Sequence, residues 1–577
     1  MNKTDDLLNL FYSNSDFSFN LECINKENLD DIIYLTENGF SKPVGSYDLK
    51  NKIAKLTQSI SNKILIIDID NIILNGNNYS IKNDSLDITL LISKKSKNIN
   101  IESLNLNSNS IDVFIEPFCE NIKFNNCIFN SKDFGIISFL STNLSINSCK
   151  FFNYTGVTLY SCKETLINSN YFNSNNNGIY LSENNNNSTI SDNIFLNCIY
   201  GVLMDSKNNF NVINNNNFKN ENTLLQQYCI SMISCNHYNK IYKNLITFTH
   251  KTINYEVGSL PAKLIGIYIE SNKNTFNTIS ENKIIFKNNK YNFNNTHPNI
   301  LISGISCLGN NSDLEISNNE IEIFRNEFTM KNGNSQSVVI YNIYMSNHSN
   351  CSIKNNIFNI NKNTLNLSLE NSLFEINNLI LDKNNKSIKI FGNEFEIFEN
   401  TNLNSETLFK LSNLSLLNKN SDIDIKDNIF KIMSNNKGSI ASVIFYNENY
   451  GNKLLYNKFL NIEGVSIILD NENIGNIIMY NDINCNNFTI LLSDGNNSNI
   501  IKENYLSTVA SSNILLLINN MDNLISENYI ENEFLGVFLL KDNKFNTIIF
   551  NEFSKISHDI SNSDDSYNYI FNNNKKL

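Results

Sequence analysis

One short phrase recurs along this chain: an aliphatic residue, two variable positions, Asn, one variable position, then Phe, Ile or Leu. It reads Ile190-Ser191-Asp192-Asn193-Ile194-Phe195 and Ile279-Ser280-Glu281-Asn282-Lys283-Ile284, with later copies at Ile353 to Phe358 and Ile525 to Ile530. The Asn falls at Asn170, Asn193, Asn216, Asn244, Asn282, Asn319, Asn356, Asn393, Asn428, Asn457, Asn481, Asn504, Asn528 and Asn551. Cys127 and Cys149 hold the same slot in two earlier copies. Self-similarity at such a period is the signature of a solenoid, in which each unit contacts only its neighbours. A chain of 577 residues can therefore be one array rather than several domains.

Successive slots lie 21 to 24 residues apart from Cys127 to Asn216, and 23 or 24 apart from Asn457 to Asn551. That length suits a coil of three short strands and three turns, with an outline of roughly 75 Å at about 3.3 Å per strand residue. The best-preserved copy begins Gly178-Ile179-Tyr180-Leu181, passes through Asn193 and Phe195, and restarts at Gly201-Val202-Leu203-Met204. Strands this brief, apolar at alternate positions, would leave a bare face as hairpins. Stacked as parallel coils they bury it continuously. Asn tolerates left-handed backbone angles at a tight turn, and its amide can bond nearby backbone or the same Asn one coil away. Such a ladder gives buried amides the partners that burial demands. The repeated Asn residues are therefore structural, not ligands or glycosylation sites.

Roughly a fifth of the residues are Asn, several times ordinary usage. Asn-rich tracts can be disordered, but here they alternate with an apolar fraction of 41%, ample for a core. A formal charge of -12 with a single Arg, Arg325, argues against nucleic acid, which wants a basic patch. No apolar run approaches the roughly 20 residues of a membrane span. The start, Met1 to Asp6, is polar and acidic where a signal peptide would be apolar. Localisation stays open between retention inside the cell and export by another route. The eleven Cys form no CxxC pair and no Cys/His zinc spacing. They read as buried thiols in a reducing environment, with Cys198 in the turn after Phe195. Cys127 and Cys149 are expected one coil apart, roughly 4.8 Å, a spacing that does not by itself forbid a disulfide.

The run GIYLSENNNNSTISDNIFLNCIYGVLMDSKNN, from Gly178 to Asn209, resembles the PbH1-type repeat of NosD-like proteins, within the wider pectate-lyase-like superfamily. Asn71 to Ile81 resembles that family's entry coil, with Asn75 where an Asp is common, and Gly45 to Leu49 its lead-in strand. The resemblance covers most of the chain after its first 40 or so residues. It implies an all-β fold, a single-stranded right-handed parallel β-helix (solenoid) of roughly 18 to 20 coils, about 90 Å long. It is unspecific for activity, because this fold hosts lyases, hydrolases, epimerases, phage spikes, adhesins and copper-delivery accessories.

Four segments are expected. Residues 1–40 form a cap, with a short helix from Asp5 to Tyr12 and Thr4 as its N-cap. Residues 41–243 form short coils, 244–428 long coils, and 429–577 short coils with a frayed end. In the long block the step from Asn244 to Asn282 is 38 residues, the next three are 37, and the last is 35. Every insertion falls at one corner, before the strand equivalent to Gly178-Leu181. Stacked there, the insertions would wall a face that the resemblance identifies with the superfamily's substrate cleft. The alternative is that longer strands widen the coil or mediate self-association.

Alternation places Tyr268 and Glu270, Ser306 and Leu308, Tyr344 and Ser346, Ile380 and Asp382, and Ser415 and Leu417 on the outside of that face. Glycoside hydrolysis wants two carboxyls about 5 to 9.5 Å apart. Glu270 and Asp382 are expected three coils apart, roughly 14 Å, which is too far. A pectate-lyase mechanism, as the resemblance implies it, wants an acidic Ca²⁺ cluster and a basic residue, and no such cluster faces Arg325. His250 and His297 fall in neighbouring insertions and are the one His pairing to follow. Asp470 and Asp494 are expected on adjacent coils about 5 Å apart, a candidate Ca²⁺ site or, more simply, turn chemistry. The leading expectation is a non-catalytic binding or scaffold protein, adhesin-like, that presents the central face to a glycan or protein partner through Tyr268, Glu270, Tyr344, Asp382, His250 and His297. The alternatives are a polysaccharide lyase or hydrolase acting on the 244–428 face and a NosD-like copper-handling accessory. No cofactor beyond Ca²⁺ is expected, and self-association through solenoid ends or edges is open.

Overall fold

Most described strands pair in parallel with the equivalent strand of the next coil. In a computed structural model the described residues are 31–576, apart from positions 86, 174–175, 222–225, 251, 256–260, 271–272, 295–298, 332–336, 368–371, 404–407, 436–437, 510–511, 533 and 564–566. They belong to two units, Met1–Thr165 and Leu166–Leu577. Both are parallel β-helices with three faces, A, B and C, met in that order along each coil. In the first unit, Ile88–Ile92 on face A pairs in parallel with Ile111–Ile115, Lys97–Glu102 on face B with Glu120–Asn125, and Asn105–Ser108 on face C with Ile128–Phe129. In the second, Asn177–Leu181 pairs with Tyr200–Met204, Thr189–Ser191 with Val212–Asn214, and Ile194–Leu196 with Asn217–Asn220.

The entry to the first unit differs from the expected cap and lead-in. Ile32–Thr36 already pairs in parallel with Ile64–Ile67, so it is part of face A. Gly45–Asp48, within the expected lead-in strand, pairs antiparallel with Ile53–Leu56 in a hairpin. The expected helix from Asp5 to Tyr12 lies outside the described residues.

The aliphatic and Phe positions of the phrase point inward and stack coil on coil. Phe172, Phe195 and Phe218 are fully buried, with ring centroids 4.9 and 4.6 Å apart. Each such side chain contributes up to about 3 kcal/mol by leaving water. The Asn completes the turn between faces B and C. Asn193 Nδ2 donates to Ile167 O at 2.9 Å and to Asn216 Oδ1 at 3.0 Å. Its Oδ1 accepts the backbone N–H of Asn170 at 2.9 Å and the Nδ2 of Asn170 at 3.0 Å. The same pattern repeats down the unit, one rung past Asn551 to Asn573. One detail differs from expectation. The left-handed residue is the one before the Asn (Asp192 at φ 55°, Glu281 at 55°, Tyr456 at 55°), so the amide is selected for its hydrogen bonds and not for its backbone angle.

Two further ladders flank the turn between faces A and B. One runs through Asn185, Asn208, Asn236, Asn274 and Asn311 and resumes from Asn385 to Asn543. The other includes Asn211, Asn239 and Asn277, gives way to buried Leu314, Cys351, Ile388 and Ile423, and returns at Asn452. His348 fills the missing rung of the first. Its backbone N–H donates to Asn385 Oδ1 at 3.0 Å, and Nδ1 lies 2.9 Å from Ser346 O, so Nδ1 carries the hydrogen. Nε2 is left to accept from Asn311 Nδ2 at 3.4 Å.

The insertions are strands. Ile253–Tyr255, Lys290–Asn294, Glu327–Lys331, Thr364–Leu367 and Thr401–Asn402 form a fourth parallel sheet. It has its own ladder of Asn289, Asn326, Asn363, Asn400 and Asn435. The face-A strands of this block lengthen to 9 or 10 residues, as in Ala262–Glu270 and Ser337–Ser346. Buried Tyr291 and Phe328 stack at 5.0 Å, and Phe374 and Phe409 at 5.1 Å, filling the added interior. Among the described residues the insertions widen the coils. Cys127 and Cys149 are buried and not joined in a disulfide, with the Cys127 N–H donating to Cys149 Sγ at 3.4 Å.

Asn356→Ala removes five side-chain hydrogen bonds and strands buried donors, so it should destabilise the protein by roughly 2 to 4 kcal/mol in urea unfolding. Exposed Asn366→Ala should change stability by less than about 0.5 kcal/mol. Burial holds the His348 imidazole down to about 4. The unfolded chain, with His near 6.5, binds the proton first, so stability present above about pH 6.5 is lost as pH falls towards 4, by up to about 3 kcal/mol. His348→Asn restores the amide rung and should flatten that part of the profile, read as urea midpoints at about pH 7 and about pH 4.5 relative to wild type.

Candidate functional site

The widened block ends in a step, and the step makes a groove. Down face A the strands shorten from Leu408–Leu417 (10 residues) to Ser439–Tyr446 (8) and Val465–Asp470 (6). The fourth sheet has ended by then, and a concavity of about 810 Å³ opens along the face. Its floor is apolar, from Ala441, Ile444, Val465 and Ile468. One side is the extension of the long strands, carrying Glu375, Asn377 and Lys410, and the other is the turn with Leu417, Asn418, Tyr446 and Asp470. Gly464 lets the chain drop into the short coil. Its φ of 113° is strained for other residues, and a Cβ there would meet Ile440 O at 2.4 Å.

Four charged residues line the groove. Glu375 Oε1 accepts from Asn377 Nδ2 at 2.7 Å, and Glu375 lies directly beside Lys410 in the strand register. Burial pushes the Glu375 carboxyl above the usual range, opposed by the Asn377 amide and the Lys410 ammonium. Asn377 Oδ1 in turn accepts from Ser415 Oγ at 3.2 Å, and the Ser412 and Ser415 hydroxyls bond at 2.7 Å. Glu463 takes the backbone N–H groups of Ser434 at 2.6 Å and Asn435 at 2.9 Å. It thereby closes the fourth ladder. Asp470 accepts from Ser493 Oγ, and the Tyr446 ring is 39% exposed at the rim.

The outward row expected from alternation is one register, Tyr268–Ser306–Tyr344–Ile380–Ser415. The expected site residues on it are not gathered together. Tyr268 packs on Tyr228 at 5.1 Å, and burial and Glu270 raise its phenol. Tyr344 donates to Asp382 Oδ2 at 2.8 Å, and Asn418 Nδ2 donates to Asp382 Oδ1 at 3.3 Å, so that acid is engaged at the groove's upstream end. Glu270 and Asp382 are three strands apart in register, as expected. His250 is not a surface residue: it is 1% exposed inside the widened coil, its backbone N–H donating to Asn289 Oδ1 at 2.6 Å. His297 lies outside the described residues. Asp470 and Asp494 do not form a pair. Leu469 opposes Leu492, which sets Asp470 against Ser493 and shifts Asp494 one residue on, where it accepts from Asn519 Nδ2 at 3.0 Å. Among the described residues no group of three or more His, Cys, Asp or Glu stands ready to hold a metal ion. Glu375, Lys410 and Tyr446 were missed. The alternation Leu373-Phe374-Glu375-Ile376-Asn377 carries the signal for the first of them.

No protein-family model matches the chain, and no curated protein matches it. Among solved structures it is similar to a double mutant of the periplasmic alginate epimerase AlgG, with 11% identity, 69% of this chain and 77% of that one covered, and a TM-score of 0.32. It is also similar to the catalytic unit of the GH87 α-1,3-glucanase from Streptomyces thermodiastaticus strain HF3-3, with 10% identity, 78% and 62% covered, and a TM-score of 0.28. A third is the PL6 family alginate lyase AlyGC, with 10% identity, 91% and 96% covered, and a TM-score of 0.23. Likeness at this level carries no argument about activity, and the β-helix assignment rests on the strand pairing itself.

The Glu375 environment is testable directly. Lys410→Met removes the ammonium that favours the carboxylate, so the Glu375 titration midpoint should move further up, as followed by carboxyl ¹³C NMR. An unmoved midpoint would show that the two side chains do not interact in solution.

Proposed function

We propose that the protein holds a stretch of glycan in the groove on face A. The observation that carries this reading is one concave strip combining an apolar floor, an exposed aromatic rim and a dense set of amides and hydroxyls. Ile444 and Ile468 suit the apolar faces of sugar rings, and Tyr446 offers a ring to stack on. Asn418 and the exposed Ser439 line the groove with an amide and a hydroxyl that suit sugar hydroxyls. Concave, mostly apolar sites with a few placed polar groups are the usual form of ligand pockets.

A second reading, glycan cleavage, is favoured by one specific feature. Glu375 is a desolvated carboxyl held towards its protonated form in the groove wall, the state a general acid needs. Asp470 is three strands further down face A and in register with Asp382, so it is at least about 14 Å from Glu375, beyond the 5 to 9.5 Å of a two-carboxylate glycosidase, and the Glu463 carboxylate is committed to the Ser434 and Asn435 N–H groups. Binding therefore leads. Among the described residues no donor cluster supports the NosD-like copper-handling role or the Ca²⁺ site, and neither is part of the proposal.

Tyr446→Ala should weaken binding of a glycan ligand by at least about tenfold, or 1.4 kcal/mol, in titration calorimetry. Tyr268→Ala, upstream of the groove, should leave it within about twofold. Cleaved product after long incubation, abolished by Glu375→Gln, would select the second reading. A wild-type protein that binds no glycan would remove both.

A further inference from the structure

Charge discriminates between the glycans that could enter this groove. Three of its four charged lining residues are carboxylates, Glu375, Glu463 and Asp470. Among the described residues the single lining cation is Lys410, which has Glu375 as its register neighbour one coil away, so its field is largely compensated before any ligand arrives. Arg, the residue best shaped to take a carboxylate or sulfate through two parallel hydrogen bonds, does not line the groove. Upstream on the same face the described strands carry no surplus of cations. The strands Ala262–Glu270, Asn299–Cys307 and Ser337–Ser346 contribute Lys263 and Glu270, and Asp382 follows at the groove's upstream end.

A polyuronate or sulfated glycan brings an anion on sugar after sugar. Each anion would lose hydration against carboxylates without gaining a cation, a cost that attractive contacts elsewhere in the groove must overcome. A neutral glycan brings only hydroxyls and ring C–H groups, which the amides, the serines and the apolar floor satisfy. Resting on the glycan-binding reading, we infer that the groove selects an uncharged polysaccharide and rejects polyuronates and sulfated chains. The rejection is the specificity element, because like-charge contacts discriminate more sharply than an extra hydroxyl contact does.

The test is affinity electrophoresis of the intact chain through gels containing, separately, β-1,3-glucan, xylan, galactomannan, alginate or polygalacturonate. Each gel is run at low salt and at about 0.15 M salt. The expected result is retardation by at least one neutral polymer, lost in Tyr446→Ala and competed by its soluble oligosaccharides, with none by either polyanion. Glu375→Gln/Asp470→Asn should then narrow the gap between neutral and anionic polymers. Retardation by alginate or polygalacturonate that Tyr446→Ala abolishes would overturn the charge inference and leave the groove reading standing. Retardation by none of the five at either salt would overturn the groove reading and the inference with it. Competition in the wild-type protein keeps the outcome readable if a variant fails to fold.

Discussion

An amide buried in a protein interior must find a partner for each of its polar atoms, and in this chain the partner is the same amide one coil away. Asn193 shows the arrangement in full, with its two donors and its oxygen satisfied by Asn170, Asn216 and Ile167. An unpaired amide there would cost about 1 to 3 kcal/mol, so each rung is stable only if the next coil is in register. That requirement fixes the register of the coils in the second unit. It accounts for the regular backbone bonds between coils and for the left-handed residue tolerated before each rung, which alone costs about 1 to 2 kcal/mol. Loss of one rung leaves both neighbours short, which couples the coils.

Widening the coil obeys the same rule. Adding residues at one corner exposes new backbone and new amides, and the block between Asn244 and Asn428 answers with a fourth sheet and a fourth ladder. Where widening stops, the last rung, Asn435, has no Asn beyond it, and the Glu463 carboxylate takes the free backbone N–H groups instead. The groove is the outer trace of this ending. Its floor is the short coil, its wall is the longer one, and the chain passes between them at Gly464. A structural necessity of the ladder thus generates the one concavity that the proposed function uses.

Substitutions within the ladders show what the position requires. His348 replaces an Asn because a neutral imidazole can donate at Nδ1 and accept at Nε2. Leu314, Cys351, Ile388 and Ile423 replace four rungs of the third ladder together, removing donors and acceptors at once. That is the other solution open to a buried site. Cys127 and Cys149 follow the same logic in the first unit, where a small thiol accepts a backbone N–H from its neighbour.

The sequence by itself determined the parallel coil, its period, the principal ladder and the common register of Tyr268 to Ser415, because all of these follow from a local pattern repeated at a fixed spacing. The second and third ladders were also legible, in the N-x-x-N spacing of Asn208 and Asn211 or Asn473 and Asn476, but the eye follows the apolar phrase first. Only the tertiary structure decided that the insertions are a fourth wall, that His250 lies inside it, and that Asp494 misses Asp470 by one residue. Insertions of 14 or so extra residues fit an arm or a strand equally well. A one-residue slip in strand register sends a side chain to the other face. The groove, with Glu375, Lys410 and Tyr446, depends on where long coils meet short ones, a juxtaposition of residues far apart in sequence that no local pattern encodes.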